Sequence, residues 1–205
     1  MRDPDRTRRR ILDAALKEFS AHGFAGARVG LIARRAKINK RMLYHYFTDK
    51  EGLFRAVLRH KISERIGHVE AQAPASDVVS NLALWFKENC HDFDWVRLLA
   101  WESLQTTGNS VLDEKERRRL SRQATARIKQ RQASGILRDD VAAIHLHLAI
   151  ASLALLPLAM PQITRLVIGR SPHDAKFQRE YASFLETISK AFRPIRDSSK
   201  INFVR

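Results

Sequence analysis

A short polar segment, residues 39–50, concentrates side chains that could bind a nucleic acid. Lys40 and Arg41 follow Asn39 directly, and Tyr44 and His45 come one helical turn later. Lysine and arginine donate hydrogen bonds to phosphates or to the O6 and N7 acceptors of guanine, whereas tyrosine and histidine can reach the sugar-phosphate backbone. All four belong to one short predicted helix, and an α-helix fits the major groove of DNA. The segment therefore predicts contact with DNA.

Other kinds of site have no comparable pattern in the sequence. There is no Gly-rich phosphate loop, no nucleophile elbow, no H-E-x-x-H pair and no recognisable pair of carboxylates. Cys90 and His91 are neighbours, but adjacency on a helix does not make a nucleophile and its base converge. No spacing of cysteine and histidine is that of a structural zinc site. We expect no catalytic residue, no metal and no cofactor.

The charge of the chain also favours a polyanionic partner. The formal net charge is +15, and residues 1–61 hold sixteen Lys or Arg against six Asp or Glu, so two thirds of the excess lies in this segment. Such a field attracts nucleic acid. Charge alone would also suit a sequence-tolerant nucleoid or architectural protein, which binds phosphates with little discrimination between bases. That protein class is the alternative to a sequence-specific regulator.

The elements that would position this segment are three helices. Asp3 followed by proline is a good helix start, apolar residues repeat at helical spacing from Ile11, and Gly23 supplies a stop. Residues 29–36 predict a short second helix. After a brief turn, residues 39–47 predict the third, with Asn39 as its N-cap. Two short helices joined by a tight turn are typical of a helix-turn-helix.

A fourth helix should connect this N-terminal unit to the rest of the chain. Thr48 and Glu51 have the spacing of a capping box, so we expect the helix to begin there. Its apolar pattern continues to Ile66 and fades over residues 71–76. The predicted domains are a DNA-binding head at residues 1–50, a connecting helix at about 51–70, and a body at 71–205.

The body is also predicted to be helical. Gly and Pro are scarce, and apolar residues recur at helical spacing, so the fold class is all-α with about nine helices. The run at 112–134 is highly charged and is expected to present a solvated face. Pro157 should end or kink the following apolar helix, and Ser171 followed by proline should start the last one. Residues 197–205 are expected to fray.

One apolar segment bears on where the chain resides. Residues 141–164 contain no Asp, Glu, Lys or Arg, a length that could span a bilayer. His145, His147 and two prolines are poor choices for lipid, and a helix buried between other helices can be equally apolar. A single cysteine suits a reducing compartment, and no apolar signal region follows the charged N-terminus. We expect a cytoplasmic protein with no membrane partner, and a membrane-attached regulator is the alternative.

Residues 7–58 carry a family resemblance. The stretches RRRILDAALKEFSAHGF and VGLIARRAKINKRMLYHYFTDKEGLFRAVL resemble the tetracycline-repressor (TetR) family of bacterial regulators, most specifically at LYHYFTDKEGLF. The resemblance implies that residues 28–36 form the support helix and residues 39–47 the recognition helix. The side chains that it implies to face DNA are Arg28, Asn39, Lys40, Arg41, Met42, Tyr44, His45 and Lys50.

The sequence departs from the family pattern at several positions. The family often has Thr or Ser where Ala27 and Arg28 stand, so the second helix should lack a side-chain N-cap. Lys37 replaces the usual turn glycine, which would place a non-glycine residue in a left-handed conformation. Arg41 and Met42 stand where small residues or Thr are usual. The sequence of the operator therefore does not follow from the resemblance.

The resemblance also implies dimerisation and control by a ligand. The last two long helices of each subunit would pack against those of its partner and form a four-helix interface. In this chain they are predicted at about Val141 to Leu156 and Lys176 to Phe192. Two recognition helices about 34 Å apart then demand a palindromic site. The expected function is a homodimeric repressor that a small, largely apolar effector releases from its operator. Candidate effector contacts are Trp85, Phe86, Trp95, Leu98, Trp101, Glu102, Leu104, Gln105, His145 and His147. For each of them, plain core is the more common role of such a residue.

Overall fold

The computed structural model describes residues 3–72, 82–105, 111 and 113–194, and of residues 66–72 and 105 only the backbone. Ten α-helices and no strand lie in this part of the chain, which confirms the all-α fold. Their bounds are α1 Pro4–Gly26, α2 Val29–Arg35, α3 Lys40–Tyr46, α4 Lys50–Gln72, α5 Leu82–His91, α6 Phe93–Gln105, α7 Glu114–Ala133, α8 Ala143–Ala159, α9 Pro161–Ile168 and α10 Ala175–Lys190. The predicted domain boundary and the frayed tail fall largely outside the described residues.

The start of α1 and a kink near its end follow local sequence. The carboxylate of Asp3 accepts hydrogen bonds from the backbone N–H groups of Asp5 and Arg6, and proline occupies the first helical turn. Helical geometry is interrupted at Gly23, whose φ of 67° lies in the left-handed region that glycine tolerates. One further turn follows through Gly26. The predicted stop at Gly23 is therefore a kink inside a longer element.

The head, α1–α3, packs its apolar faces around one core that continues into α4. Ile11, Phe19, Ile32 and Leu43 are fully buried there. The ring of Phe19 meets that of Phe54 on α4 edge to face, with centroids 5.0 Å apart. The packing of α4 against α1 fixes the connecting helix to the head, so a shift of one moves the other.

The predicted capping box of α4 is wrong in its residues. Asp49, not Thr48, caps the helix, since its Oδ1 accepts the N–H of Gly52 at 2.6 Å. Glu51 does not reach back to the cap, because its carboxylate accepts hydrogen bonds from Arg55 one turn later. A carboxylate at the residue directly before the helix accepts a free N–H group of the first turn, so no hydrogen bond from Glu51 back to the cap residue is needed.

In the body, α5 packs on α8 and α10, α6 packs on α1 and α8, and α7 packs on α8. Helix α7 buries Ile128 and Arg131 and leaves most of its other charged side chains exposed, as predicted for the charged run. The last helix begins later than predicted. Asp174, rather than Ser171, caps it by accepting the N–H groups of Lys176 and Phe177.

The expected break at Pro157 lies instead at Met160, and this gives ten helices in the described part of the chain where about nine were predicted. Pro157 stays inside α8 although it cannot donate to the carbonyl of Leu153 one turn earlier. The hydroxyl of Tyr181 on α10 donates to that carbonyl at 3.1 Å. The chain turns where Pro161 starts α9, and Thr164 Oγ1 donates to the carbonyl of Pro157 at 2.7 Å.

The same break bears on the uncharged segment. Among the described residues, no single helix has the length and apolarity to cross a membrane. Helices α8 and α9 have the required length and apolarity only when they are taken together, and their axes are bent by 86° relative to each other.

Candidate DNA-binding surface

The turn between α2 and α3 carries an unusual lysine. Ala36 is the C-cap of α2, and Lys37 follows with a φ of 53°, in the left-handed region. The next residue, Ile38, donates its N–H to the carbonyl of Ala33 at 3.0 Å, which closes the turn. A left-handed conformation costs a non-glycine residue about 1 kcal/mol. The strain expected from the sequence at Lys37 is therefore present.

Helix α3 presents a polar face to solvent above a buried one. Asn39 caps the helix, with its Oδ1 accepting the N–H of Met42 at 2.7 Å. Leu43 is fully buried and anchors the helix on the head. The opposite face bears four exposed side chains, and Met42 at its edge is half-buried. The four are Lys40, Arg41, Tyr44 and His45. Four donors on one exposed helix face match the requirement for entry into a major groove.

Arg28 stands at the N-cap of α2 with extended backbone and an exposed side chain, and it forms no capping hydrogen bond of its own. Its N–H group is satisfied from α1, because Glu18 Oε1 accepts it at 3.1 Å. The other oxygen of Glu18 accepts Arg35 at 3.1 Å. Glu18 thus fastens both ends of α2 to α1. The guanidinium of Arg28 stays directed to solvent, where a phosphate could bind.

Glu18 was not singled out from the sequence, although it is fully buried. It lies seven residues after Ile11, and a helix places such residues on the same face. The sequence did contain a signal for this residue. Glu18 is an acidic residue on the apolar face of α1, and the second helix that follows is rich in arginine. Buried carboxylates are nearly always paired, so this position pointed to an intramolecular partner.

Lys50 lies at the start of α4 with its ammonium group turned toward α1. Its Nζ donates to the carbonyl of Ala25 at 3.1 Å and sits 5.0 Å from the centre of the Phe24 ring. The amine has three hydrogens, so one such bond leaves donors for a phosphate. The structure therefore gives Lys50 a positioning role within the head beside the DNA contact predicted for it.

The side chains predicted to contact an effector do not converge on one place. Phe86 is buried against the rings of Phe177 and Tyr181 of α10, with the Tyr181 centroid 4.8 Å away. His145 is exposed on α8. Leu98 is buried, Leu104 is exposed, and Trp85 is half-buried, whereas the side chain of Gln105 lies outside the described residues. The candidates are thus divided between the core and the surface.

Three more of the candidates hold helices together. Trp101 Nε1 donates to the carbonyl of Ser20 on α1 at 3.2 Å. Glu102 is in a salt bridge with Arg117 of α7 at 2.6 Å. The third of them, His147, has its Nδ1 2.9 Å from the hydroxyl of Thr125, and burial lowers the pKa of its imidazole. These residues connect α6 to its neighbours and α8 to α7.

A polar group inside the body was missed from the sequence. The guanidinium of Arg65 on α4 lies 5.5 Å from the centre of the Trp95 ring and donates to Asn89 Oδ1 at 2.6 Å. Asn89 is buried and donates in turn to the carbonyl of Ala154 on α8 at 3.0 Å. Burial lowers the pKa of Arg65, but an arginine remains charged in any protein. This cluster joins α4 to α5, α6 and α8.

Known proteins resemble both parts of the chain. A family described as "Bacterial regulatory proteins, tetR family" matches residues 11–57, and a "Tetracyclin repressor-like, C-terminal domain" matches residues 77–186. The HTH-type transcriptional repressor NicS of Pseudomonas putida is 37% identical over 73% of this chain and 74% of its own. The repressor SCO4008 of Streptomyces coelicolor is 29% identical over 82% of this chain and 86% of its own.

Solved structures share the fold. The transcriptional regulator SCO4942 from Streptomyces coelicolor superposes with a TM-score of 0.74 at 24% identity, covering 91% of this chain and 98% of its own. GusR of Salmonella enterica gives 0.71 at 21% identity, covering 94% and 98%. Members of the matched family are DNA-binding transcriptional regulators and not enzymes, and they act on operators as dimers. This chain, with the exposed polar and basic helix α3 on such a fold, belongs to the tetracycline-repressor (TetR) family of bacterial transcriptional regulators.

Proposed function

We propose that the chain is a homodimeric repressor that binds a palindromic operator through two copies of α3 and is released by a small-molecule effector. The observation that carries the proposal is the exposed polar face of α3, fixed from below by the buried Leu43 and capped by Asn39. A rigid helix that presents several donors on one face can read base edges, which a merely basic surface cannot.

Within this surface the residues divide by the chemistry of their contacts. Arg41 is proposed to read a base, because it is exposed on α3 and a guanidinium can bind guanine O6 and N7 together. Arg28 and Lys50 lie at the starts of α2 and α4, so they are proposed to bind phosphates. The remaining proposed contacts are Asn39, Lys40, Met42, Tyr44 and His45.

The proposed dimer interface is an exposed apolar surface on the last three helices. Ile144, Leu148 and Leu156 form a stripe along α8, and Phe184 is exposed on α10. Helix α9 adds Leu166, whose exposed fraction is 85%. Monomeric proteins rarely leave a large apolar patch in water, and a second copy of the chain would cover it. We therefore propose that the dimer interface includes α9 as well as the predicted helices α8 and α10.

The effector is proposed to act through the connecting helix α4. Arg65 gives α4 a polar group inside the body beside the ring of Trp95, so a ligand that enters among α4, α5 and α6 would meet both. The other end of α4 packs on the head through Phe54. A ligand that favours one position of α4 would thereby change the separation of the two heads and disfavour the operator-bound state.

Selection of binding sites from a randomised duplex library at physiological salt tests the proposal. Recovery of a palindrome whose half-sites are about one helical turn apart is the expected result, with an affinity about 1,000-fold or more above that for random DNA. A retained pool without a consensus would instead support the nucleoid or architectural protein that the net charge of +15 also allows.

A further inference from the structure

Two concave surfaces flank the N-terminal end of α3, and Asn39 lies on both. One, of about 650 Å³, lies between α2 and α3 and includes Arg28, Arg34 and Lys40. The other, also about 650 Å³, lies between the first turns of α1 and the α2–α3 turn. We call the second one the α1 groove. It is lined by Arg6, Thr7, Arg10, Lys37, Asn39 and Met42, together with Asp3 and Ile38. Helix α3 thus forms a ridge between two basic depressions.

The α1 groove carries an excess of positive charge. Arg6, Arg10 and Lys37 are exposed, and within the part of the chain that the structure describes none of them is in a salt bridge. The single carboxylate on the groove, that of Asp3, accepts the N–H groups of Asp5 and Arg6 as the cap of α1. Three cations therefore face one carboxylate, which is already hydrogen bonded, and the groove favours an anion.

Two cations of the α1 groove lie at the α2–α3 turn, one in a strained conformation and the other bound to the turn. Lys37 adopts a φ of 53°, which a glycine would adopt without strain, so the lysine adds only its side chain to this turn. Strained residues are retained where the surrounding structure uses them. The guanidinium of Arg10 donates to the carbonyl of Ala36, the residue before Lys37. This hydrogen bond holds Arg10 beside the backbone of Lys37, whose own side chain is exposed and lines the groove.

We propose that the α1 groove is a second DNA phosphate site, on the opposite side of α3 from Arg28. A helix in the major groove has a phosphate backbone on each side, since that groove is about 12 Å wide. The depression next to α2 would follow one backbone and the α1 groove the other, with Lys37 and Arg6 as the phosphate ligands and Arg10 beside them. This inference rests on the proposed function, because it places α3 in the major groove.

The test uses the full-length protein and the operator obtained by selection. Lys37→Gly removes the cation without strain, so its melting temperature should equal or exceed that of the wild type. Its plot of log affinity against log salt should be shallower by about 0.9 for each head, hence about 1.8 for a dimer. Arg6→Gln should give a similar change. Arg122→Gln on α7, exposed and equal in charge change, is the matched control and should leave the slope unaltered.

Neutral methylphosphonate linkages placed one at a time along each strand locate the contact. At one linkage per half-site, the neutral group should weaken binding of the wild type and leave binding of Lys37→Gly unchanged. If every linkage instead weakened the wild type and Lys37→Gly by the same factor, the proposed phosphate site would be wrong. Equal slopes for Lys37→Gly, Arg122→Gln and the wild type would overturn it as well, while leaving the operator itself intact. A wild type without any sequence preference would refute the regulator proposal, and the slopes on random DNA would still decide whether the groove binds phosphate.

Discussion

The hydroxyl of Ser20 on α1 donates to Asp94 Oδ1 on α6 at 2.8 Å, across 74 positions of sequence. Lys17 donates to the other oxygen of the same carboxylate, and the indole of Trp101 binds the carbonyl of Ser20. The head is therefore hydrogen bonded to the body through α6 as well as joined to it through α4. A displacement of α6 would therefore act on α1 directly through these hydrogen bonds, and not only through α4.

This junction makes stability depend on pH. Burial alone would raise the pKa of Asp94, but hydrogen bonds from Lys17 and Ser20 outweigh it and hold the pKa below the ordinary aspartate value. A depressed pKa stabilises the fold above the ordinary value, and the contribution is lost as pH falls through the lower pKa of the folded state. Asp94→Asn should cost about 1 kcal/mol of unfolding free energy at neutral pH and much less in acid. A difference from wild type that stayed constant from neutral to acid pH, in urea titrations, would contradict this.

Replacement of Glu18 should destabilise the head. Glu18→Ala leaves the N–H of Arg28 and one guanidinium hydrogen of Arg35 without their acceptor, so we expect a loss of about 2 kcal/mol in unfolding free energy. Denaturant unfolding measures the loss. Glu51→Ala, which breaks an exposed pair with Arg55, is the control and should cost less than about 0.5 kcal/mol. Equal losses would mean that burial of Glu18 contributes nothing.

Arg41→Ala should change which operator is preferred. If Arg41 binds a guanine, its removal lowers affinity for the selected site by about 1–3 kcal/mol and relaxes the preference at one position of each half-site. Repeated library selection with the variant measures this. Lys50→Ala provides the comparison, since loss of a phosphate contact should weaken all sequences alike and make the salt dependence shallower. A uniform loss for Arg41→Ala would identify that residue as a backbone contact.

A charge in the proposed dimer interface should separate the subunits. Leu148 is 67% exposed on α8, and Leu148→Glu should raise the dimer dissociation constant about 30-fold, which corresponds to roughly 2 kcal/mol. Sedimentation equilibrium measures the change. Leu104→Glu introduces the same charge at a leucine that is 76% exposed on α6 and should leave the dimer intact. An unchanged constant for Leu148→Glu would exclude this face of α8 from the interface.

Cys90 should react slowly with alkylating agents in the folded protein. Burial raises the pKa of its thiol to about 11, so the thiolate fraction at neutral pH is about 100-fold lower than for an unperturbed cysteine. Its neighbour His91 has Nδ1 2.6 Å from the carbonyl of Lys87. Mass spectrometry of iodoacetamide-treated protein, folded and in denaturant, compares the two rates. Similar rates would show that the thiol is accessible and ionised in the fold.

The sequence by itself determined the elements of the head. Asn39 was predicted as the cap of α3 and lies there, because a cap acts within a few positions of the chain. Gly23 was predicted as the stop of α1, but it interrupts the helix as a kink and α1 ends at Gly26. The exposed face of α3 follows from the same short-range periodicity. The start of α4 was misplaced by one residue, since Thr48 and Asp49 both suit a cap and only their geometry distinguishes them.

The tertiary structure alone decided which polar side chains meet. Glu18 with Arg28, Asp94 with Ser20 and Arg65 with Asn89 are separated by 10, 74 and 24 positions, and no local pattern relates such residues. For the same reason the candidate effector contacts could not be sorted into core and surface beforehand, because an apolar stripe shows which face of a helix is buried but not what covers it. Local propensity set the helices, and burial of their faces against one another set the connections between them.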